Sequence, residues 1–186
     1  LWLFYTGAVK RGGKAVQTQC MAYSDDGVIF HKYALNPVIA EPPEGNSEDF
    51  RDPKVFFAEG CWNMVVGGSI GGAGNGGDGR IYLYRSEDLL KWEFAGTVLA
   101  SDGKLGTMFE CPDMYEMDGK WIVTCSPMYH PGGNKALYCV GSMDFEKCRY
   151  ETEKTGFLDY GPDFYAAQSC LDQYGKRIMI AWQNGW

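Results

Sequence analysis

Apolar and polar residues alternate along this chain in short runs, and the runs are separated by Gly, Asn and Asp. Alternation places every second side chain on one face of a strand, whereas a helix needs apolar positions three and four apart. Helical spacing is nearly absent, so the pattern predicts short β-strands throughout. Residues 1–9, 62–70, 121–128 and 177–186 read as one recurring strand. The last three are each preceded by a turn-forming pair, Glu59-Gly60, Asp118-Gly119 and Tyr174-Gly175. A second recurring strand covers 18–26, 81–88 and 137–144. Each copy carries a serine followed by an acid: Ser24-Asp25-Asp26, Ser86-Glu87-Asp88 and Ser142-Met143-Asp144. Trp92-Glu93-Phe94 and Tyr150-Glu151 read as fourth strands of the same unit.

A repeat of about 60 residues built from four short antiparallel strands is what a β-propeller blade requires. The chain is therefore expected to be all-β and to hold about three blades' worth of strands. Residues 1–48 read as the end of one blade, 49–107 and 108–160 as two full blades, and 161–186 as the start of the next. An ordinary β-sandwich leaves the long period unexplained. Closed rings typically have about 4–8 blades, so strand edges and apolar blade faces are expected to lie open and to favour self-association. The opening Leu1-Trp2-Leu3-Phe4-Tyr5 reads as the middle of a strand, which predicts a preceding segment.

Hydrophobic residues make up 45% and aromatics 15%, enough to build a core and to set disorder aside. A net charge of −7 argues against nucleic acid or an anionic membrane as a partner. The seven cysteines are an odd number, scattered singly, and no C-x-x-C pair occurs. With only His31 and His130 as further soft ligands, neither a zinc site nor a full disulfide framework is expected. The thiols read as reduced core fillers, which points to a cytoplasmic setting. The glycine-rich residues 67–79 lack the Gly-Lys-Ser/Thr ending and the following helix of a phosphate loop, so they read as a flexible connection. His130 reads as a solvated loop residue. No cofactor and no metal are expected.

Acidic motifs introduce the first strand of each unit: Phe50-Arg51-Asp52-Pro53, then Phe109-Glu110-Cys111-Pro112-Asp113, then Gly161-Pro162-Asp163-Phe164-Tyr165-Ala166. First strands of a propeller line its central channel, so equivalent entry positions converge at one mouth. Asp52, Glu110 and Asp163 are then expected to face a common space, where like charges raise at least one pKa. Glu110 stands just ahead of an alternating segment and beside Met108, Phe109 and Cys111. In such apolar surroundings it can keep a proton near neutral pH and act as a general acid. Taken alone, the pentapeptide reads more readily as a turn with two solvated acids.

Arg51-Asp52-Pro53 followed one unit later by Glu110-Cys111-Pro112-Asp113 resembles glycoside hydrolase family 32, the β-fructosidases. The segment 3–9, Asn36-Pro37-Val38-Ile39, Leu83-Tyr84-Arg85-Ser86 with Trp92, and Asp163-Phe164-Tyr165-Ala166 extend the similarity along the whole chain. The resemblance implies a five-bladed propeller of four-stranded antiparallel blades, often backed by a β-sandwich. It implies that Glu110 is the acid/base and Asp52 the transition-state stabiliser, with Arg51 beside them. Tyr5, Thr6, Asp163, Tyr165 and Trp182 become the further positions expected to bind a small-molecule saccharide, sucrose or sucrose 6-phosphate. Cys111 is read as packing. The family's nucleophile, an aspartate in an Asn-Asp-Pro motif, has no match in this sequence, so these residues alone are expected to be inactive. An arabinanase-like inverting hydrolase and a non-catalytic carbohydrate-binding or assembly module are the alternative readings.

Overall fold

The computed structural model describes residues 1–133 and 135–183. The last predicted segment runs on into residues 184–186, which lie outside the described residues. Among the described residues thirteen strands run in order: β1 Trp2–Arg11, β2 Lys14–Tyr23, β3 His31–Lys32, β4 Asn46–Ala58, β5 Cys61–Ile70, β6 Asp78–Ser86, β7 Glu93–Ala100, β8 Met108–Met117, β9 Lys120–Met128, β10 Leu137–Asp144, β11 Arg149–Phe157, β12 Tyr165–Leu171 and β13 Arg177–Trp182. They form four antiparallel sheets in sequence order: β1-β2-β3, β4-β5-β6-β7, β8-β9-β10-β11 and β12-β13.

Local chemistry explains the hairpins. Glu59-Gly60 joins β4 to β5 and Asp118-Gly119 joins β8 to β9, with all four residues at positive φ. Two left-handed residues in a row match the twist of the flanking strands, which is why an acid-glycine pair recurs there. The repeated serine and acid close the turns after β6 and β2. Ser86 Oγ accepts the Leu89 N–H at 2.8 Å, and Asp88 Oδ1 accepts those of Leu90 and Lys91, both at 2.9 Å. Ser24 and Asp26 hold Gly27, Val28 and Ile29 in the same way.

Alternation then decides what each sheet buries. Val65, Ile81 and Leu83 point from the second sheet to one side and meet Phe109, Met114, Val123, Leu137 and Cys139 of the third. Met64, Val66, Tyr82 and Tyr84, at the intervening positions, point the other way and enclose Phe50 and Ile39, with Phe4 and Trp92 packed against them. The second sheet is thus covered on both faces, which explains its nearly unbroken apolar strands. The outer sheets carry exposed apolar side chains, among them Trp2, Leu3 and Val9 on β1, and Ile178 and Ile180 on β13.

Two sequence expectations change. The acidic motifs do not precede first strands; Arg51-Asp52-Pro53 lies inside β4 and Glu110-Cys111-Pro112 inside β8, each at a register shift. A proline has no N–H for a ladder, and a bulge is where a strand tolerates that loss. Nor are residues 67–79 one flexible loop. Gly67 and Gly68 are paired in β5, Gly79 is paired in β6, and only 71–77 form the connection. A Cβ on Gly79 would come within 2.8 Å of the Phe109 ring, so this glycine is the seat on which Phe109 packs.

One buried cluster ties three sheets together. Asp113 is 1% exposed and accepts the Ser169 hydroxyl at 2.6 Å, the Ser169 N–H at 2.8 Å and the Met114 N–H at 2.9 Å. Lys54 Nζ lies 3.5 Å from the same carboxylate and donates to the Ser169 carbonyl at 2.6 Å. Replacing Asp113 with Ala leaves the Lys54 charge and the Ser169 N–H without their partner. Asp113→Ala is expected to lower unfolding stability by about 3–5 kcal/mol, as removal of one member of a buried ion pair does. Denaturant unfolding measures it; a loss below about 1 kcal/mol would show that water replaces the carboxylate.

Candidate active site

The first strands of the last three sheets each bend at the same place. Register breaks between Arg51 and Lys54, between Glu110 and Asp113, and between Tyr165 and Gln168. Inside each break one non-glycine residue adopts a left-handed backbone: Asp52 at φ 65°, Cys111 at φ 48° and Ala166 at φ 55°. Such a conformation is costly and persists where the surroundings fix it. The bulge re-aims the side chain on either flank. Arg51, Glu110 and Tyr165 therefore occupy one structural address on three successive strands, and Lys54, Asp113 and Gln168 occupy the next.

The first address makes a charged triad. Arg51 donates to Glu110 Oε1 through Nε at 3.0 Å and through Nη2 at 2.8 Å. The Tyr165 hydroxyl donates to Glu110 Oε2 at 2.7 Å and has a second acceptor, the Ser126 carbonyl, at 3.3 Å. Arg51 is held from behind by Asp49 Oδ1 at 2.7 Å and by Gln17 Oε1 at 3.4 Å. Burial works against the Arg51 charge, yet the hydrogen bonds and charges of Asp49 and Glu110 outweigh it and raise its pKa. Burial would likewise raise Asp49, but the Ala73 N–H and Arg51 hold it below the usual carboxylate range. Burial pushes the Tyr165 phenol far above its ordinary value, and the Glu110 hydrogen bond and charge push it further, so it remains a donor.

Asp52 belongs to the same constellation. Its Oδ2 accepts the Cys111 N–H at 2.9 Å and lies 3.5 Å from the Cys111 thiol. Its own N–H donates to Thr6 Oγ1 at 2.9 Å, and the Thr6 hydroxyl donates to Gln19 Oε1 at 2.9 Å. Burial pushes the Cys111 thiol well up, helped by the Asp52 and Glu110 charges. A thiol so shifted stays neutral and is no nucleophile.

Of the residues singled out from sequence, Arg51, Asp52, Glu110, Thr6 and Tyr165 come together. Thr6 arrives as a support of the Asp52 backbone. Tyr5 pairs with Cys20 on the opposite face of β1 from Thr6 and Gln19. Trp182 stands opposite Tyr165 in the β12–β13 ladder. Asp163 precedes β12 and is not the counterpart of Asp52 or Glu110, whose addresses in that strand are Ala166 and Tyr165. Both Asp163 carboxylate oxygens are buried with no hydrogen-bond partner among the described residues. The three acids are therefore not equivalent, because the register is counted from the bulge and not from the preceding turn. Nor are the Glu110 surroundings apolar: Met108 and Phe109 are buried, but the carboxylate itself meets Arg51 and Tyr165.

Several supports escaped the sequence reading. Gln17 and Gln19 are the polar alternates of β2, and Gln19 is fully buried, donating to the Phe50 carbonyl at 2.9 Å. Asp49 lies two residues before Arg51, hence on its face of the strand, which was a legible signal. Gln168 donates to the Cys111 carbonyl at 2.9 Å and to that of Pro112 at 3.1 Å, fixing the β8 bulge from the next sheet. The His130 Nδ1 accepts the Gly132 N–H at 2.8 Å within its own loop. Among the described residues no group of three or more His, Cys, Asp or Glu is placed to hold a metal ion.

Comparison with known proteins identifies the family. The profile of the Glycosyl hydrolases family 32 N-terminal domain matches residues 1–186. The sucrose-6-phosphate hydrolase of Bacillus subtilis is 36% identical over 194 residues, covering 98% of this chain and 39% of that protein. The chain superposes on the Bombyx mori GH32 beta-fructofuranosidase, solved as a mutant in complex with sucrose, with a TM-score of 0.88 at 39% identity. That match covers 100% of this chain and 40% of the silkworm enzyme. The Schwanniomyces occidentalis fructofuranosidase, solved with fructose, gives a TM-score of 0.74 at 30% identity, covering 100% of this chain and 35% of its own. The chain spans about two-fifths of the length of these relatives. A propeller-like stack of antiparallel sheets, two adjacent bulges that carry Arg-Asp-Pro and Glu-Cys-Pro, and a family profile that runs from the first residue to the last make this chain a member of glycosyl hydrolase family 32.

Proposed function

We propose that the protein to which this chain belongs hydrolyses β-fructosides of the sucrose type with retention, through a five-bladed propeller of which these sheets are part. Glu110 is the acid/base and Asp52 the transition-state stabiliser. The observation that carries the reading is the asymmetric grip on Glu110. Arg51 has only donors, so Oε1 must remain the unprotonated oxygen. Oε2 faces a hydroxyl that can turn its hydrogen to the Ser126 carbonyl, so Oε2 can carry a proton without a clash of donors. That proton is delivered to the oxygen of the departing sugar.

Departure of that sugar leaves positive charge on the fructosyl ring, an oxocarbenium-like state. A carboxylate held in one orientation stabilises such charge without reorganising as it develops. Asp52 meets the requirement: Oδ2 is fixed by the Cys111 N–H, and Oδ1 accepts no hydrogen bond among the described residues. Tyr5, Thr6, Asp163, Tyr165 and Trp182 complete the saccharide-binding assignment. The Asp163 carboxylate, without a hydrogen-bond partner among the described residues, supports its share, since sugar hydroxyls would supply the missing donors. The covalent step needs a second carboxylate about 5–5.5 Å from the acid/base. No Asn-Asp-Pro occurs in the chain, so that nucleophile is assigned to the protein outside these residues.

Three measurements test the assignment. In the active full-length protein, Glu110→Gln is expected to slow sucrose hydrolysis by about 10²–10⁴-fold and an activated aryl fructoside far less, because only the poor leaving group needs the proton. Equal losses on both substrates would remove Glu110 from the acid role. Tyr165→Phe takes away one hydrogen bond to a charged group and is expected to lower kcat by roughly 10–100-fold, again mainly for sucrose. An unchanged kcat would make the hydroxyl incidental. Assayed alone, the 186-residue chain is expected to turn over no sucrose; turnover within about tenfold of the full-length protein would mean that another residue serves as nucleophile.

A further inference from the structure

Each left-handed bulge residue presents its N–H to the neighbouring sheet, and each N–H finds an acceptor there. The Asp52 N–H is accepted by Thr6 Oγ1 of β1 at 2.9 Å, and the Ala166 N–H by Ser126 Oγ of β9 at 2.8 Å. Thr6 on β1 and Ser126 on β9 hold the same position in the recurring strand, five residues after Leu1 and Trp121. The corresponding residue of β5, five after Trp62, is Gly67, which has no hydroxyl to offer. There the Cys111 N–H is accepted by the Asp52 carboxylate, from the bulge of the adjacent first strand.

Gly67 also has no room for a side chain. A Cβ at this position would overlap the Phe109 carbonyl oxygen and stand 3.3 Å from that of Arg51. Phe109 immediately precedes Glu110, and Gly67 pairs with Arg51 in the ladder. Gly67 has an ordinary negative φ, so close approach rather than backbone conformation is what requires glycine here. Its bare Cα lets the β8 bulge settle against β5 until the Cys111 N–H comes within reach of Asp52.

We propose that Gly67 is a positioning residue for Asp52. At the two hydroxyl-bearing equivalents, Thr6 and Ser126, a neutral side chain supplies the cap. Gly67 assigns the cap to a carboxylate, which fixes Asp52 Oδ2 and leaves Oδ1 for the developing charge. A residue with a side chain at 67 lifts β8 from β5, breaks the Cys111–Asp52 bond and releases the carboxylate to turn. The positioning role rests on the fructosidase reading above, whereas the cap itself does not.

Backbone amide hydrogen exchange and kinetics on the full-length protein test the two parts separately. Asp52→Ala and Gly67→Ala are each expected to speed exchange at Cys111 on the order of tenfold, the effect of one lost hydrogen bond. Ser126→Ala is expected to speed exchange at Ala166 and to leave Cys111 unchanged. Gly67→Ala is expected to lower kcat by about 10²-fold, the scale of a displacement near 1 Å. Combined with Asp52→Ala it adds no further loss, because both changes remove one unit. Cys111 exchange indifferent to Asp52→Ala would overturn the cap. Losses that multiply in the double variant, or a Gly67→Ala protein that does not fold, would make the glycine a packing requirement and overturn the positioning role. If the unaltered protein hydrolyses no β-fructoside, the fructosidase reading fails on its own and the exchange results still decide the cap.

Discussion

A buried backbone N–H must have an acceptor, and for the left-handed bulge residues Asp52, Cys111 and Ala166 the acceptor lies in another sheet. A bulge takes its central residue out of the ladder and leaves that residue's N–H unpaired. Within the sheet nothing can satisfy it. Thr6, Asp52 and Ser126 do so from the sheet before, so each sheet completes the hydrogen bonding of the next. The apolar cores between sheets hold them together without specifying a precise register, since apolar packing is non-directional. The caps are directional, and they fix how one first strand sits against its neighbour. The alignment of Arg51, Glu110 and Tyr165 follows from that constraint.

The all-β class, the repeat and most hairpins were legible because they rest on local rules. Glu59-Gly60 and Asp118-Gly119 demand a left-handed pair, and Ser86 with Asp88 demands a turn that consumes three N–H groups. Arg51-Asp52-Pro53 and Glu110-Cys111-Pro112 were legible as a pair of motifs, though a proline beside an acid reads as a turn until the bulge is seen. What sequence could not deliver is the count of residues across a bulge. One extra residue shifts every later side chain to the other face. For that reason Asp163 looked like a third equivalent acid, while the true counterpart of Glu110 in that strand was Tyr165. The glycines at 67 and 68 failed for a related reason. Several glycines in a row suggest mobility, and only the neighbours reveal that the Phe109 carbonyl occupies the space a side chain at 67 would fill, and Tyr82 with Asn46 the space at 68.

The two addresses around the bulge divide the labour. Before it stand Arg51 and Glu110, partly open to solvent, and the buried Tyr165, linked by hydrogen bonds that a ligand can exchange for its own. After it stand Lys54, Asp113 and Gln168, where Asp113 is almost wholly enclosed. A buried ion pair is weak evidence for stability but strong evidence for order, because a misplaced partner leaves a charge without compensation. The second tier therefore holds the strands in a fixed relation, and the first tier inherits that relation at the point where chemistry is proposed.

Each member of the Arg51–Glu110–Tyr165 trio hangs from a different sheet, so its geometry records the state of the two seams between them. Hydrogen bonds of 2.7–3.0 Å weaken over a few tenths of an ångström, whereas apolar side chains keep contact through larger shifts. A seam that begins to open is thus felt at Glu110, the proposed proton donor, while every strand is still paired. Loss of activity under mild heat or denaturant would run ahead of loss of β-structure, with the trio as the assembly's own gauge of alignment.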